Sequence, residues 1–127
     1  MSEHVKWIQY KGKRILYVDY SRIRDEQKYL KAIEEMEAEV LKQPKGHKIL
    51  TLMDMTGSLA TTAITERSKK MTATSKEYGI PDSPTALVGL SGFQKAIVQA
   101  MQFFRPDIHL AVSIEAAKDW LVEQVNK

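Results

Sequence analysis

A chain of 127 residues, 43% hydrophobic and 28% charged, is long enough to bury one self-sufficient core and has the balance of an ordinary globular domain. It has no cysteine, which excludes disulfides, thiol catalysis and cysteine-ligated metals. Its formal net charge of +3, from 19 basic and 16 acidic side chains mixed along the chain, is unlike the clustered stripe of a nucleic-acid binder, and no nucleic-acid partner is expected.

The densest basic patch, Arg67, Lys69, Lys70 and Lys76, reads as a solvated helix face. Residues 1–6 lack the apolar stretch of a signal peptide, and no apolar run approaches the ~18–20 residues that cross a bilayer. A cytoplasmic protein without a transmembrane segment is therefore expected.

In chain order, residues 5–10 are short, aromatic and partly alternating, as in an edge strand. Lys11-Gly12-Lys13 turns them into a second strand over 14–20, giving a hairpin. Asp25-Glu26 opens a helix whose apolar stripe is Tyr29, Leu30, Ile33, Met36, Val40 and Leu41, and Pro44 with Gly46 ends it. Residues 48–54 are almost continuously apolar, the pattern of a strand covered on both faces.

A threonine, Thr61 or Thr62, caps a helix to Tyr78 with few apolar positions (Ile64, Met71, Tyr78), so this helix is expected to be the most exposed. Residues 85–89 form another buried strand. Ser91 and Gln94 have capping-box spacing before a helix bearing Phe93, Ala96, Ile97, Ala100, Met101 and Phe104, which Arg105-Pro106-Asp107 breaks. A last strand over 108–112 precedes a helix capped by Ser113 and bearing Ile114, Ala117, Trp120, Leu121 and Val125.

The expected fold is a single α/β domain over residues 1–127, ordered β-β-α-β-α-β-α-β-α. Its sheet is mixed and mainly parallel, with an N-terminal β-hairpin as the antiparallel edge and helices flanking it.

In such a sheet, ligands favour the loops at the carboxyl ends of parallel strands, here beginning at Asp19, Asp54, Gly89 and Val112. The turn Asp54-Met55-Thr56-Gly57-Ser58 directly follows the apolar run Ile49-Leu50-Thr51-Leu52-Met53. Asp54, Thr56, Gly57, Ser58, Ser91 and Gly92 are expected to approach one another there, with Asp19 nearby. Helix N-termini above these loops suit an anion, a phosphorylated side chain or a partner loop. The same residues also have structural work: Asp and Thr brace turns, Gly supplies positive φ, and Ser91 and Ser113 cap helices.

Catalytic patterns are incomplete. Gly89-Leu90-Ser91-Gly92-Phe93 lacks the final glycine of a nucleophile elbow. His4, His47 and His109 are scattered, without triad or metal-ligand spacing, and Asp19 and Asp54 could pair as carboxylates at a separation that the sequence does not give. No catalytic residue, metal or cofactor is expected, and the protein is read as a non-enzyme.

Asp54-Met55-Thr56-Gly57 resembles the Asp-x-Ser/Thr-Gly loop of STAS domains, the anti-sigma-factor antagonist (SpoIIAA-like) family. Val88-Gly89-Leu90-Ser91-Gly92-Phe93-Gln94-Lys95 and Ala117-Lys118-Asp119-Trp120-Leu121 resemble an uncharacterised bacterial STAS-like branch related to CRAL-TRIO lipid-binding domains. The resemblance covers nearly the whole chain in order of elements. It implies a SpoIIAA-like fold and a non-enzymatic regulatory or protein-binding module, with a kinase or anti-sigma factor as partner. Thr56 occupies the position of the serine or threonine that a partner kinase phosphorylates. The chain departs from the family pattern in two respects: Ser58-Leu59-Ala60 stand between the motif and the next helix cap, and the long N-terminal hairpin with its aromatic start suits the uncharacterised branch better than the classical sigma-factor regulators.

An alternative expectation is a carrier or sensor of a lipid or small apolar ligand, suggested by that relation and by Met36, Met53, Met71, Phe93, Met101, Phe103 and Phe104. The unprotected edge at residues 5–10 and the Phe103-Phe104 pair are candidate surfaces for a homodimer.

Overall fold

The computed structural model describes residues 3–103 and 105–125. Lys11 and Gly12 turn strand β1 (Val5–Tyr10) back onto β2 (Lys13–Asp19), with Val5 opposite Val18 and Tyr10 opposite Lys13. Helix α1 (Glu26–Leu41), β3 (Thr51–Asp54), α2 (Thr62–Tyr78), β4 (Thr85–Val88), α3 (Gly92–Gln102), β5 (Ile108–Ala111) and α4 (Ile114–Val125) follow. The sheet order is β1-β2-β3-β4-β5, antiparallel at β1–β2 and parallel at every later pair. This is the α/β architecture expected, element for element.

Alternation along the strands sends side chains to two cores. Leu16 and Val18 join Tyr29, Ile33, Met36 and Ile64 under α1 and α2, whereas Ile15, Leu52, Ala86 and Val88 join Ala117 and Leu121 under α4. Continuous apolar character in the central strands follows from this two-sided burial. The ladder of β3 is shorter than the apolar run, but Ile49 and Leu50 ahead of it are buried as well, and Leu50 accepts a backbone hydrogen bond from Leu16 (2.8 Å).

Local sequence explains the helix ends. Asp25 caps α1 by accepting from the Lys28 N–H (3.0 Å), and Thr61 caps α2 by accepting from the Ile64 N–H (3.2 Å). Helices α1 and α2 are clamped together by Arg67, whose guanidinium donates two hydrogen bonds to the Glu37 carboxylate (3.2 and 3.0 Å). On the opposite face, Trp120 of α4 stacks on His109 of β5, and Tyr10 donates to Asp119 (2.6 Å).

Helix α3 departs from expectation. Its apolar residues do not face the sheet: Phe93 is 70% exposed, Met101 45% and Ile97 40%, and Phe103 just beyond the helix is 90% exposed. Ala96 and Ala100 are exposed too. The inward row is Gln94, Val98 and Gln102, spaced one helical turn apart. Gln94 sets this orientation, because its side chain is held at the helix start and on the neighbouring turn. So α3, rather than α2, is the helix with the most uncovered apolar surface; α2 packs along α1. Phe104 and the side chain of Val125, both assigned to apolar stripes above, lie outside the described residues.

Candidate functional site

Two successive parallel strands end in the same turn. Asp54 Oδ1 accepts from both the N–H (3.0 Å) and the hydroxyl (2.7 Å) of Thr56. One strand over, Asp19 Oδ1 accepts from the N–H of Ser21 (2.9 Å) and from its hydroxyl. Asp19 and Asp54 are in register between β2 and β3. Each carboxylate thereby braces its own chain, a local arrangement that short polar side chains favour after strands.

Backbone hydrogen bonds carry the sheet past its strands through these turns. Tyr20 N–H donates to Asp54 O (2.9 Å), Arg22 N–H to Thr56 O (2.7 Å) and Met55 N–H to Val88 O (2.8 Å). The 54–58 turn closes with Ser58 N–H on Met55 O (3.1 Å). Gly57 within it has φ of 64°, in the left-handed region that glycine enters freely. Arg24 covers its far side, donating to Ser58 O (3.3 Å).

Two contacts from the β4–α3 segment complete the site. Gly89 has φ of 78°, and a Cβ there would lie 2.8 Å from the Thr56 Cα and N and closer still to its Oγ1. Thr56 is therefore seated directly on the Gly89 backbone. Gln94 accepts from the Ser91 N–H at Oε1 (2.9 Å) and donates from Nε2 to the Ser58 hydroxyl (3.4 Å). The expected capping box is present, and its glutamine also reaches across to the candidate turn.

Beneath the turn sit Tyr20 and Tyr29, with ring centroids 4.7 Å apart. The Tyr29 hydroxyl approaches the Met55 sulfur (3.7 Å). Burial pushes the Tyr29 phenol up to about 12, against a smaller opposing effect of the Ser58 hydroxyl, and burial raises Tyr20 further still. The Tyr17 phenol is raised by burial and, secondarily, by the Asp19 and Asp54 carboxylates.

A raised phenol favours the folded state while neutral, so this stability is fully present below pH ~10 and is lost as pH climbs through the folded value. We expect denaturant unfolding to show falling stability from pH ~10 to about 12. Tyr29→Phe is expected to flatten part of that fall.

The structure thus brings together Asp19, Asp54, Thr56 and Gly57 at the carboxyl edge of the sheet. Thr56 and Gly57 are exposed, whereas Ser58 is buried and serves the turn's attachment. Ser91 caps α3, and Gly92 stands in open space with no heavy atom within 4 Å of a would-be Cβ. Helix α2 begins beyond the Thr61 cap, whose hydroxyl is committed to Glu26 (2.7 Å). The intervening residues seen in the sequence are real, and it is α3's segment that abuts Thr56.

Sequence reasoning missed Gly89 as a seat and Gln94 as a link. It also missed the repeat of Asp-x-Ser/Thr at Asp19-Tyr20-Ser21, which was visible as a pattern after two apolar strands. Among the described residues, no group of three or more His, Asp or Glu side chains is placed to hold a metal ion. His109 is stacked on Trp120, and His4 Nδ1 lies 3.1 Å from the Asp19 carbonyl oxygen. Beside the Asp19 turn, a groove of about 330 Å³ runs between β1 and α4, bordered by Lys6, Ile8, Tyr17 and Lys118.

The element order and sheet topology give the chain a SpoIIAA-like α/β fold. A solved structure with this fold, an uncharacterized protein of the DUF3478 family from Shewanella loihica PV-4, superposes with a TM-score of 0.68 over 92% of this chain and 91% of that one, at 15% sequence identity. No protein-family model and no curated protein matches the chain. Among the described residues, no helix is long and apolar enough to cross a membrane.

Proposed function

We propose that the protein is a non-enzymatic, cytoplasmic regulatory module that binds a protein partner through the 54–58 turn and is switched by phosphorylation of Thr56. The observation that carries this reading is the placement of Thr56: exposed at the carboxyl edge of the sheet, with its hydroxyl held by Asp54 (2.7 Å). A kinase would transfer the γ-phosphoryl group of ATP to Oγ1, forming the O–P bond, releasing ADP and removing the hydroxyl proton. The donor that Asp54 now accepts from would be replaced by about −1.5 to −2 charges beside the Asp54 and Asp19 carboxylates. A partner docked on the uncharged turn would meet a different surface.

The geometry of the carboxylates supports a binding role over a catalytic one, because Asp19 and Asp54 each engage two local donors. A kinase or an anti-sigma factor is the class of partner that the STAS-type fold suggests. Incubating the protein with ATP and a kinase-active lysate of its host, then mapping phosphopeptides, is expected to place phosphate on Thr56. Phosphate only on other residues contradicts the reading.

A second reading, a carrier of a lipid or small apolar ligand, is favoured by one observation. An open cavity of about 420 Å³ is lined by Leu87, Leu90, Leu110 and Val112, with Lys95 and Gln99 of α3 at its border. Native mass spectrometry after gentle extraction distinguishes the two, since a carrier retains a small molecule.

A further inference from the structure

Helix α3 is attached to the domain differently from the other helices. Helices α1, α2 and α4 bury apolar side chains such as Ile33, Ile64 and Leu121 in the two cores. Among the described residues, the one buried side chain of α3 is Gln94, and its apolar residues Phe93, Ile97 and Met101 are exposed. A helix with so little apolar burial draws much of its local stability from its few polar anchors. Both anchors at its first turn lead to the 54–58 turn.

The first connection is steric. Thr56 is packed onto Gly89, and Gly89 is joined to the Ser91 cap through Leu90 alone. The Thr56 hydroxyl donates to Asp54 Oδ1 and lies beside the Gly89 backbone, so a charged group added there would crowd both. The second connection is the hydrogen bond from Gln94 Nε2 to Ser58 Oγ, two residues along the same turn from Thr56. The same glutamine holds the Ser91 N–H, so displacing Ser58 also disturbs the cap.

The geometry points to a coupling between the 54–58 turn and α3. Charge placed at Thr56 displaces the turn, the displacement passes through Gly89 and the Gln94–Ser58 hydrogen bond, and the first turn of α3 loosens from the sheet. This inference rests on reading Thr56 as the switch position, and it adds where the switch is felt. The two-state element is the docked and undocked first turn of α3.

Amide hydrogen exchange, followed by mass spectrometry on the intact chain, tests the coupling without any kinase or partner. Thr56→Glu is expected to speed exchange in residues 92–102 by about tenfold, within the usual range of couplings between sites, while α1 and α4 keep their wild-type rates. Gln94→Met cuts the link from one side and Ser58→Ala from the other, and each is expected to speed α3 exchange on its own. Adding Thr56→Glu to Gln94→Met is expected to fall clearly short of the product of the two single effects.

The inference is overturned if Thr56→Glu leaves α3 at its wild-type rate, if α1 and α4 accelerate equally with it, or if the two changes multiply in full. Because the charge is installed by substitution, these outcomes are independent of whether a kinase ever acts on Thr56. Failure of the phosphopeptide mapping and failure of the exchange experiment are thus distinct results.

Discussion

Tyr29→Ala is expected to lower folding stability by about 3–5 kcal/mol, as truncation of a buried aromatic side chain does. Tyr29 is 1% exposed and packs against Tyr20 on one side and under Met55 on the other. Removing the ring opens a cavity between α1 and the end of β3, directly beneath the candidate turn. Tyr29→Phe keeps the ring and is expected to lose only about 1 kcal/mol, the worth of an ordinary hydrogen bond. Urea denaturation of the two variants separates packing from hydroxyl chemistry. Similar losses for both would show that the ring itself carries little.

Gly89→Ala is expected to lower stability by about 2–5 kcal/mol, combining the strain of a left-handed alanine with the overpacking of Thr56. Gly57→Ala is the informative control. Its φ of 64° imposes a comparable backbone strain, but the nearest atom to the new Cβ is the Arg22 Cγ at 3.7 Å, an ordinary contact. The control is therefore expected to cost about 1–2 kcal/mol, the backbone share alone. The difference between the two, measured by equilibrium denaturation, reads the closeness of Thr56 to Gly89. Equal losses would mean that the turn yields freely and that Thr56 is not seated on the β4–α3 segment.

Much of this fold was legible because each element announces its own ends. Asp25, Thr61 and Ser91 cap helices, Gly79 and Pro81 stop α2, and Lys11-Gly12 turns the hairpin. Two-sided burial of the central strands was equally plain from their near-continuous apolar runs. The orientation of α3 was not legible. Its stripe of Phe93, Ile97 and Met101 has the period of a packed face, but periodicity records which side chains share a face and not what lies opposite it.

The polar residue of the capping box decides the matter by reaching Ser58, a partner 36 positions away. The site was legible as a place, since Asp54 and Thr56 follow a buried strand. Its construction was not, because the seat of Thr56 on Gly89 is a contact between segments that only the folded sheet brings together. Ser58, grouped with the exposed turn from sequence, is buried because Gln94 and Tyr29 close over it.

The proposed docking element is the 54–58 turn with Thr56 uncharged. Its most direct measurement is a quantitative pull-down from lysate of the native host, with wild type and Thr56→Glu compared side by side and Thr56→Ala as the unmodifiable form. Wild type and Thr56→Ala are expected to retain a protein that is depleted on Thr56→Glu. Equal recovery of every bound protein on wild type and Thr56→Glu would contradict it.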